Sequence, residues 1–383
     1  METVEAILAE LVAFDTTSRN SNLALIDCVE AYLARHGVAA WRVPSPDGEK
    51  ANLFASIGPD REGGFVLSGH TDTVPVDGQD WSSDPFTLSE RGGLLYGRGS
   101  CDMKGFLAAC LARVPAMQAA GLKRPIHLAF SYDEEVGCLG VPLLLDALGT
   151  RGIRPEGCFV GEPTEMQPVI AHKAKRSMRA FFNGKSVHSS LSPDGVNAVS
   201  YAARLVAWID ALTPEMNLNP GDALFDVPVS TAHVGVFSGG TALNIVPAQA
   251  QVDFEFRTLP GEDADARVAA ARDVIAGLDA EMAARDPACG ARLEMLAAFP
   301  GLDTPEDAPI TRLAKRLAGR NDHAKVAYGT EAGLFAERAG IPTVVIGPGS
   351  IGEAHKPDEF IARAELDKCT RFLDRLIEHC STA

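Results

Sequence analysis

Two histidines and five acidic residues stand where short apolar runs give way to polar turns. His70 and Asp72 follow the run Phe65-Val66-Leu67, and Asp102 follows Gly97-Arg98-Gly99-Ser100-Cys101. Glu134 and Glu135 come just after Ile126 to Ser131, Glu162 ends Cys158 to Gly161, and His355 lies in the loop Gly347 to His355. In extended backbone, residues two apart share a side, so His70 and Asp72 face one space, whereas the neighbours Glu134 and Glu135 diverge. One of those two glutamates is thus free to bind a metal while the other faces a substrate. Any one of these acids alone could cap a helix or pair with an arginine; the set of seven points elsewhere. Two imidazoles with three carboxylates suit a pair of Zn, Co or Mn ions bridged by one carboxylate. Such a pair polarises a carbonyl and ionises a water, while an unligated glutamate takes the proton and returns it to a leaving amine.

The elements that must position these residues follow from periodicity. Helical spacing covers 2 to 14 and 22 to 36, and strands are expected at 39 to 43, 51 to 57 and 65 to 69. A helix over Met103 to Gln118, a strand over Ile126 to Ser131, a helix over Val136 to Leu148 and a strand over Cys158 to Gly161 continue the alternation. This is the pattern of an α/β layer sandwich. From about Lys173 the texture changes to a strand at Met178 to Asn183, a helix at Asn197 to Ala211 and two strands. The second of these, Gln251 to Thr258, alternates cleanly. A helix at Asp263 to Arg285 and a strand at Ala291 to Ala297 complete a strand-helix-strand-strand-helix-strand order, that of a ferredoxin-like α+β sheet. The first texture returns near Pro300, with helices at 306 to 318 and 331 to 339 and strands at 324 to 328 and 342 to 346. The expected organisation is a catalytic domain over 1–174 and 300–383, interrupted by an inserted domain over 175–299.

The chain has 383 residues, a length that favours two domains, and 46% of them are apolar, ample for buried cores. A formal charge of -16 repels phosphate backbones, and the 35 Lys and Arg form no block, so no nucleic-acid partner is expected. Excess acid instead attracts cations, either metal ions or an ammonium-bearing substrate. The eight cysteines show no paired short spacing, which fits reduced thiols in a cytoplasmic protein. No apolar run approaches the roughly 20 residues that span a bilayer, and the N-terminus lacks a basic, apolar leader; a soluble, unprocessed protein without membrane partners is expected.

The segments Ser68-Gly69-His70-Thr71-Asp72-Thr73-Val74-Pro75, Gly97-Arg98-Gly99 to Asp102-Met103-Lys104-Gly105, Asp133-Glu134-Glu135 and Gly161-Glu162-Pro163-Thr164 resemble those of the dinuclear-zinc amidohydrolases. That family includes acetylornithine deacetylase, succinyl-diaminopimelate desuccinylase, carboxypeptidase G and aminoacylase. The resemblance covers nearly the whole chain. It implies an α/β/α layered zinc-hydrolase domain, an inserted ferredoxin-like dimerisation domain acting as a lid, and two divalent ions, Zn or Co. It also implies that His70 and Glu162 hold one ion, Glu135 and His355 the other, and that Asp102 bridges them. Glu134 becomes the general acid/base and Asp72 the residue that orients His70, and a cis peptide is expected between Asp102 and Met103.

Within the family, Gly329-Thr330-Glu331-Ala332-Gly333 and the loop from Gly347 to Glu359 most resemble the acetylornithine deacetylases. The first segment carries a glycine where enterobacterial members have an apolar residue. This resemblance implies hydrolysis of N2-acetyl-L-ornithine in arginine biosynthesis. The alternative is the same deacylation of another N-acyl amino acid, such as succinyl-diaminopimelate or a dipeptide. A metal-binding scaffold without turnover is a rival of another class, against which the presence of both Glu134 and Asp72 speaks. Around the substrate we expect Thr330, Arg257 on the α-carboxylate and Glu331 on the ornithine ammonium, with an ion pair to Glu255 or Asp253 as the alternative for Arg257. The segment Gly184 to Ser190 is similar to one whose histidine, here His188, reaches the partner subunit's site and donates to the oxyanion; Asn244 is expected to reach across with it. A homodimer is therefore implied.

Overall fold

A computed structural model describes residues 2–60, 62–216, 218 and 221–382. The chain divides into two compact units, one of 1–171, 302–325 and 330–383, the other of 172–301 with 326–329.

The first unit is built on a mixed sheet with strand order Ala40–Pro44, Ala51–Ile57, Ile126–Ser131, Phe65–His70, Gly157–Val160, Thr343–Val345, Val169–His172, Leu302–Asp303, with Ala324–Val326 beside Val169–His172. Its centre is parallel: Phe65–His70 runs between Ile126–Ser131 and Gly157–Val160. Parallel strands are covered on both faces, which is why they read as unbroken apolar runs. Phe65 and Leu67 join the core made with helices Val4–Val12, Leu23–Arg35, Gly105–Ala119 and Arg363–Ser381. Val66, equally buried, belongs to the opposite face. Helices Val141–Thr150 and Ala332–Ala339 pack on each other. The helix Arg363–Ser381 was not expected from the sequence, although it buries Leu366, Cys369, Phe372, Leu373, Leu376, Ile377 and Cys380 along one face.

The helix expected at Val136 starts at Val141 instead. Asp133 and Cys138 have φ of 55° and 57°, left-handed values that no helix accommodates, so 133–140 is a tight turn. The peptide bond between Asp102 and Met103 is cis, as the resemblance implies.

The second unit is a four-stranded antiparallel sheet in the order Thr231–Gly239, Gln249–Thr258, Ala174–Asn183, Gly290–Phe299. Val252, Phe254 and Phe256 form its core with helices Ala198–Met216 and Ala264–Arg285. On the other face Arg179 makes a two-pronged pair with Asp253, at 2.8 and 2.6 Å.

Candidate active site

The ends of the central strands Phe65–His70, Ile126–Ser131 and Gly157–Val160, with the turn Ser100–Lys104, bring His70 and the acidic residues together. His70 closes Phe65–His70 and is 1% exposed. Its Nδ1–H donates to the Asp72 main-chain carbonyl at 2.8 Å, which leaves Nε2 without a proton in the neutral ring. That Nε2 stands 3.1 Å from Asp102 Oδ1 and 3.8 Å from Glu162 Oε1. Glu162 reaches this point because Gly161 lets the strand end lie against Phe106; a Cβ there would stand 2.1 Å from the ring. From the other side, His355 Nε2 lies 3.2 Å from Asp102 Oδ2 and 3.1 Å from Glu135 Oε2. Asp102 thus turns one oxygen to each imidazole. In the two trios, His70-Asp102-Glu162 and Asp102-Glu135-His355, the ligand atoms all lie within 4.8 Å of one another.

The donor set fits divalent ions. Atoms bound tetrahedrally at about 2 Å from one ion stand about 3.3 Å apart, close to the separations above. Glu135 Oε1 is buried without a hydrogen-bond partner among the described residues, an orphan that a cation would satisfy. Electrostatics agree. Burial and Asp102 push Glu135 up to about 7, and burial and Asp102 also hold Glu162 well above the carboxylate range. Burial opposes a charged His70, but the hydrogen bond its ring donates to Asp102 and the charges of Glu162, Asp102 and Asp72 outweigh it and raise its pKa well above the ordinary value. A divalent cation held among these groups would offset the repulsion that raises them.

Glu134 belongs to neither trio. Burial, opposed by the charge of His70 and reinforced by Glu135, Asp72 and Glu331, pushes its carboxyl up to about 8. That range suits a group that takes and returns a proton near neutrality.

Asp72 holds His70, though not by its carboxylate, which is 3.6 Å from Nδ1. The carboxylate accepts from Ser18 Oγ at 2.7 Å and from the main-chain N–H groups of Glu134 and Glu135 at 3.1 and 3.3 Å. Its reach is to the glutamate turn rather than to the imidazole.

Two of the expected substrate residues are corrected by their burial. Glu331 is fully buried, its oxygens accepting from Ser68 Oγ at 2.6 Å and Ser131 Oγ at 2.7 Å, and so ties together the two strands that carry His70 and the glutamates. Thr330 is equally buried, and its Oγ1 accepts from Ala332 N at the start of helix Ala332–Ala339. Arg257 takes the alternative: its Nε donates to Glu255 Oε1 at 2.7 Å. His188 and Asn244 are exposed in the second unit, their segments joined by Ser189 N donating to the Asn244 carbonyl at 2.9 Å. His188 Nδ1 accepts from Ser190 N at 3.2 Å, which places the ring proton on Nε2 in the neutral form.

Sequence reasoning missed Glu359 and Arg98. Glu359 Oε1 accepts from Cys101 N and Asp102 N at 2.9 and 3.0 Å, and Oε2 accepts from Arg98 Nη1 at 2.6 Å. Both side chains are 1% exposed. Arg98 also donates to Gln79, whose Nε2 donates to the His355 carbonyl at 2.9 Å. The available signal is one basic and one acidic residue, Arg98 and Glu359, in the two segments Gly97-Arg98-Gly99 and Asp358-Glu359 that carry the resemblance.

The sequence pattern of peptidase family M20/M25/M40 matches residues 66–379. The acetylornithine deacetylase of Myxococcus xanthus is 35% identical over 98% of this chain and 97% of its own. That of Yersinia pseudotuberculosis serotype O:1b is 34% identical over 99% and 97%. Among solved structures, the M20 family metallo-carboxypeptidase Sso-CP2 of Sulfolobus solfataricus superposes with a TM-score of 0.80 at 18% identity, covering 100% of both chains. A dinuclear metal-binding M20 peptidase of Bacillus subtilis gives 0.68 at 16% identity, covering 99% of this chain and 98% of that one.

Proposed function

The chain belongs to peptidase family M20/M25/M40, and we propose that it is the member that hydrolyses the amide of N2-acetyl-L-ornithine to acetate and L-ornithine, a step of arginine biosynthesis. It is a metal-dependent hydrolase, and the observation that carries this reading is Asp102, with one oxygen facing each of two imidazoles and Glu134 outside both trios. His70 and Glu162 would hold one divalent ion, Glu135 and His355 the other, and Asp102 both. Zinc or cobalt ions held there would supply Lewis acidity toward the amide carbonyl and a more acidic water.

The remaining chemistry is the chain's own. Glu134 takes a proton from water as its oxygen adds to the acyl carbon. It then delivers that proton to the departing α-nitrogen as the C–N bond breaks. Asp72 holds the main chain of Glu134 and Glu135 while its carbonyl keeps the His70 tautomer fixed. We assign the oxyanion donor to Nε2–H of His188, with Asn244 beside it, both from the partner subunit. A homodimer is supported by the edge strand Thr231–Gly239, which leaves Val236 and Phe237 exposed, with Leu243 and Ile245 exposed on the loop beyond it. A cytoplasmic location completes the reading. Mixing His188→Ala with Glu134→Ala subunits under exchange tests it: activity should return to roughly a quarter of wild type with random pairing, and no recovery would place His188 within its own site.

The function itself is tested by free-amine release from N2-acetylornithine, succinyl-diaminopimelate and simple dipeptides with added zinc or cobalt. The highest kcat/KM is expected on N2-acetylornithine. A higher value on succinyl-diaminopimelate or a dipeptide would transfer the assignment to that substrate, and no turnover on any would leave a metal-binding scaffold.

A further inference from the structure

The turn that carries the two glutamates closes with a residue to which the mechanism above gives no role. Cys138 is 1% exposed, and its Sγ lies 3.3 Å from Glu134 Oε1. The turn itself creates the contact: Glu134 O accepts from Gly137 N and Cys138 N, both at 2.9 Å. Leu139 N and Gly140 N then donate back to Asp133 and Tyr132. This winding puts the side chain four residues on over the carboxylate. It requires φ of 57° at Cys138, a conformation that glycine adopts freely and that a residue with a Cβ adopts at a cost. Gly137 and Gly140 stand on either side of it, so the left-handed position could have been a glycine as well. A thiol held there at conformational expense points to a use for its S–H.

We propose that Cys138 is a positioning residue for the general acid/base, its S–H donating to Oε1 of Glu134 so that Oε2 is the oxygen that handles the proton. This rests on the role given to Glu134 above. In the proton-accepting form of Glu134 the carboxylate only accepts hydrogen bonds, so in that state the thiol is the donor. The division of labour is then complete for this residue: Asp72 fixes its main chain through Glu134 N, and Cys138 fixes its side chain. A long, flexible side chain that is already oriented loses less freedom on reaching the transition state. The other described cysteines have no such partner at a glutamate of the site.

The test uses zinc-loaded Cys138→Ala and Cys138→Ser enzymes. Removing the donor in Cys138→Ala should lower kcat roughly fivefold to tenfold, the scale of one ordinary hydrogen bond and in keeping with a weak S–H donor, with KM and bound metal unchanged. Cys138→Ser restores a donor and should return kcat to within about twofold of wild type. A packing role gives the reverse order, because a buried hydroxyl is the poorer substitute for a thiol. Wild-type kcat in Cys138→Ala, or no advantage of Cys138→Ser over it, would overturn the proposal. A second measurement needs no substrate and so separates this idea from the choice of substrate. The infrared S–H band that disappears in Cys138→Ser should lie at the low wavenumber of a bonded thiol and move up in Glu134→Ala. A band indifferent to Glu134→Ala overturns the proposal even if the enzyme is fully active on N2-acetylornithine.

Discussion

The two ligand trios share Asp102 but differ in how they are held. In the inner one, His70, Asp102 and Glu162 are all buried, and His70 and Glu162 sit at the ends of parallel strands in the middle of the sheet. In the outer one His355 is 51% exposed, has φ of 65° and sits on a loop, secured by the hydrogen bond from Gln79 to its carbonyl. Sheet-borne ligands are oriented by the core that packs beneath them. A loop-borne ligand depends on a few polar contacts, and its side chain remains open to solvent. The inner trio is expected to be the fixed half of the site, and the outer trio the half that exchanges and responds to conditions.

The largest effect should come from a residue in neither half. Glu134→Ala is expected to lower kcat by about a thousandfold or more while both ions stay bound. Metal analysis checks this, and loss of an ion would mean that Glu134 and Glu135 have exchanged roles.

Separating the halves comes next. His355→Ala should release one ion per chain on dialysis and retain the other, with affinity at the outer position down roughly a hundredfold. His70→Ala should cost the inner ion. If either variant releases both ions together, the two halves are one cooperative unit and the contrast fails.

Acid should act on the outer half in a defined direction. Hydrogen bonds donated to Asp102 and Glu135 push His355 up to about 10, so an ion entering there must displace its proton. Affinity therefore rises with pH up to about 10, roughly tenfold per unit for each displaced proton. The dependence steepens below about 7, where burial keeps Glu135 protonated as well. Chelator competition across neutral pH reads the slope, and a flat profile would show that no proton is displaced. The smallest change is expected from Gln79→Ala, which frees the His355 carbonyl: a loss of outer-ion affinity of a few-fold, with the inner ion unaffected.

The inner half was also the more legible one. His70 and Glu162 follow apolar runs whose continuity marks buried parallel strands, so their direction and depth follow from period and composition. The outer half was legible only as residue types, since nothing in the spacing of Gly347 to His355 tells which way a loop imidazole points. Glu331 was misplaced for a related reason. A glutamate beside glycines reads as exposed, yet here Ser68 and Ser131 supply the two hydrogen bonds that let it be buried. Such compensation depends on residues distant in the chain. The same holds for Val326–Gly329, which joins the second unit through contacts that periodicity does not encode. In Asp72, two acceptors on one residue exchanged the partners expected of them, which residue identity alone does not distinguish.

The strand Thr343–Val345 has a further consequence for how the molecule is made. It lies between Gly157–Val160, to which it is parallel, and Val169–His172. The two strands flanking it are separated from it by the whole inserted unit, so the ribosome delivers the slot long before the piece that fills it. A nascent chain therefore carries an unpaired gap in its central sheet, and an acidic cluster still lacking His355, while some 170 further residues are synthesised at roughly 5–20 per second. For that interval, on the order of ten seconds or more, the exposed strand edges are open to pairing with other chains. Until Thr343–Val345 arrives, the strands Gly157–Val160 and Val169–His172 lack the neighbour that joins them in the finished sheet.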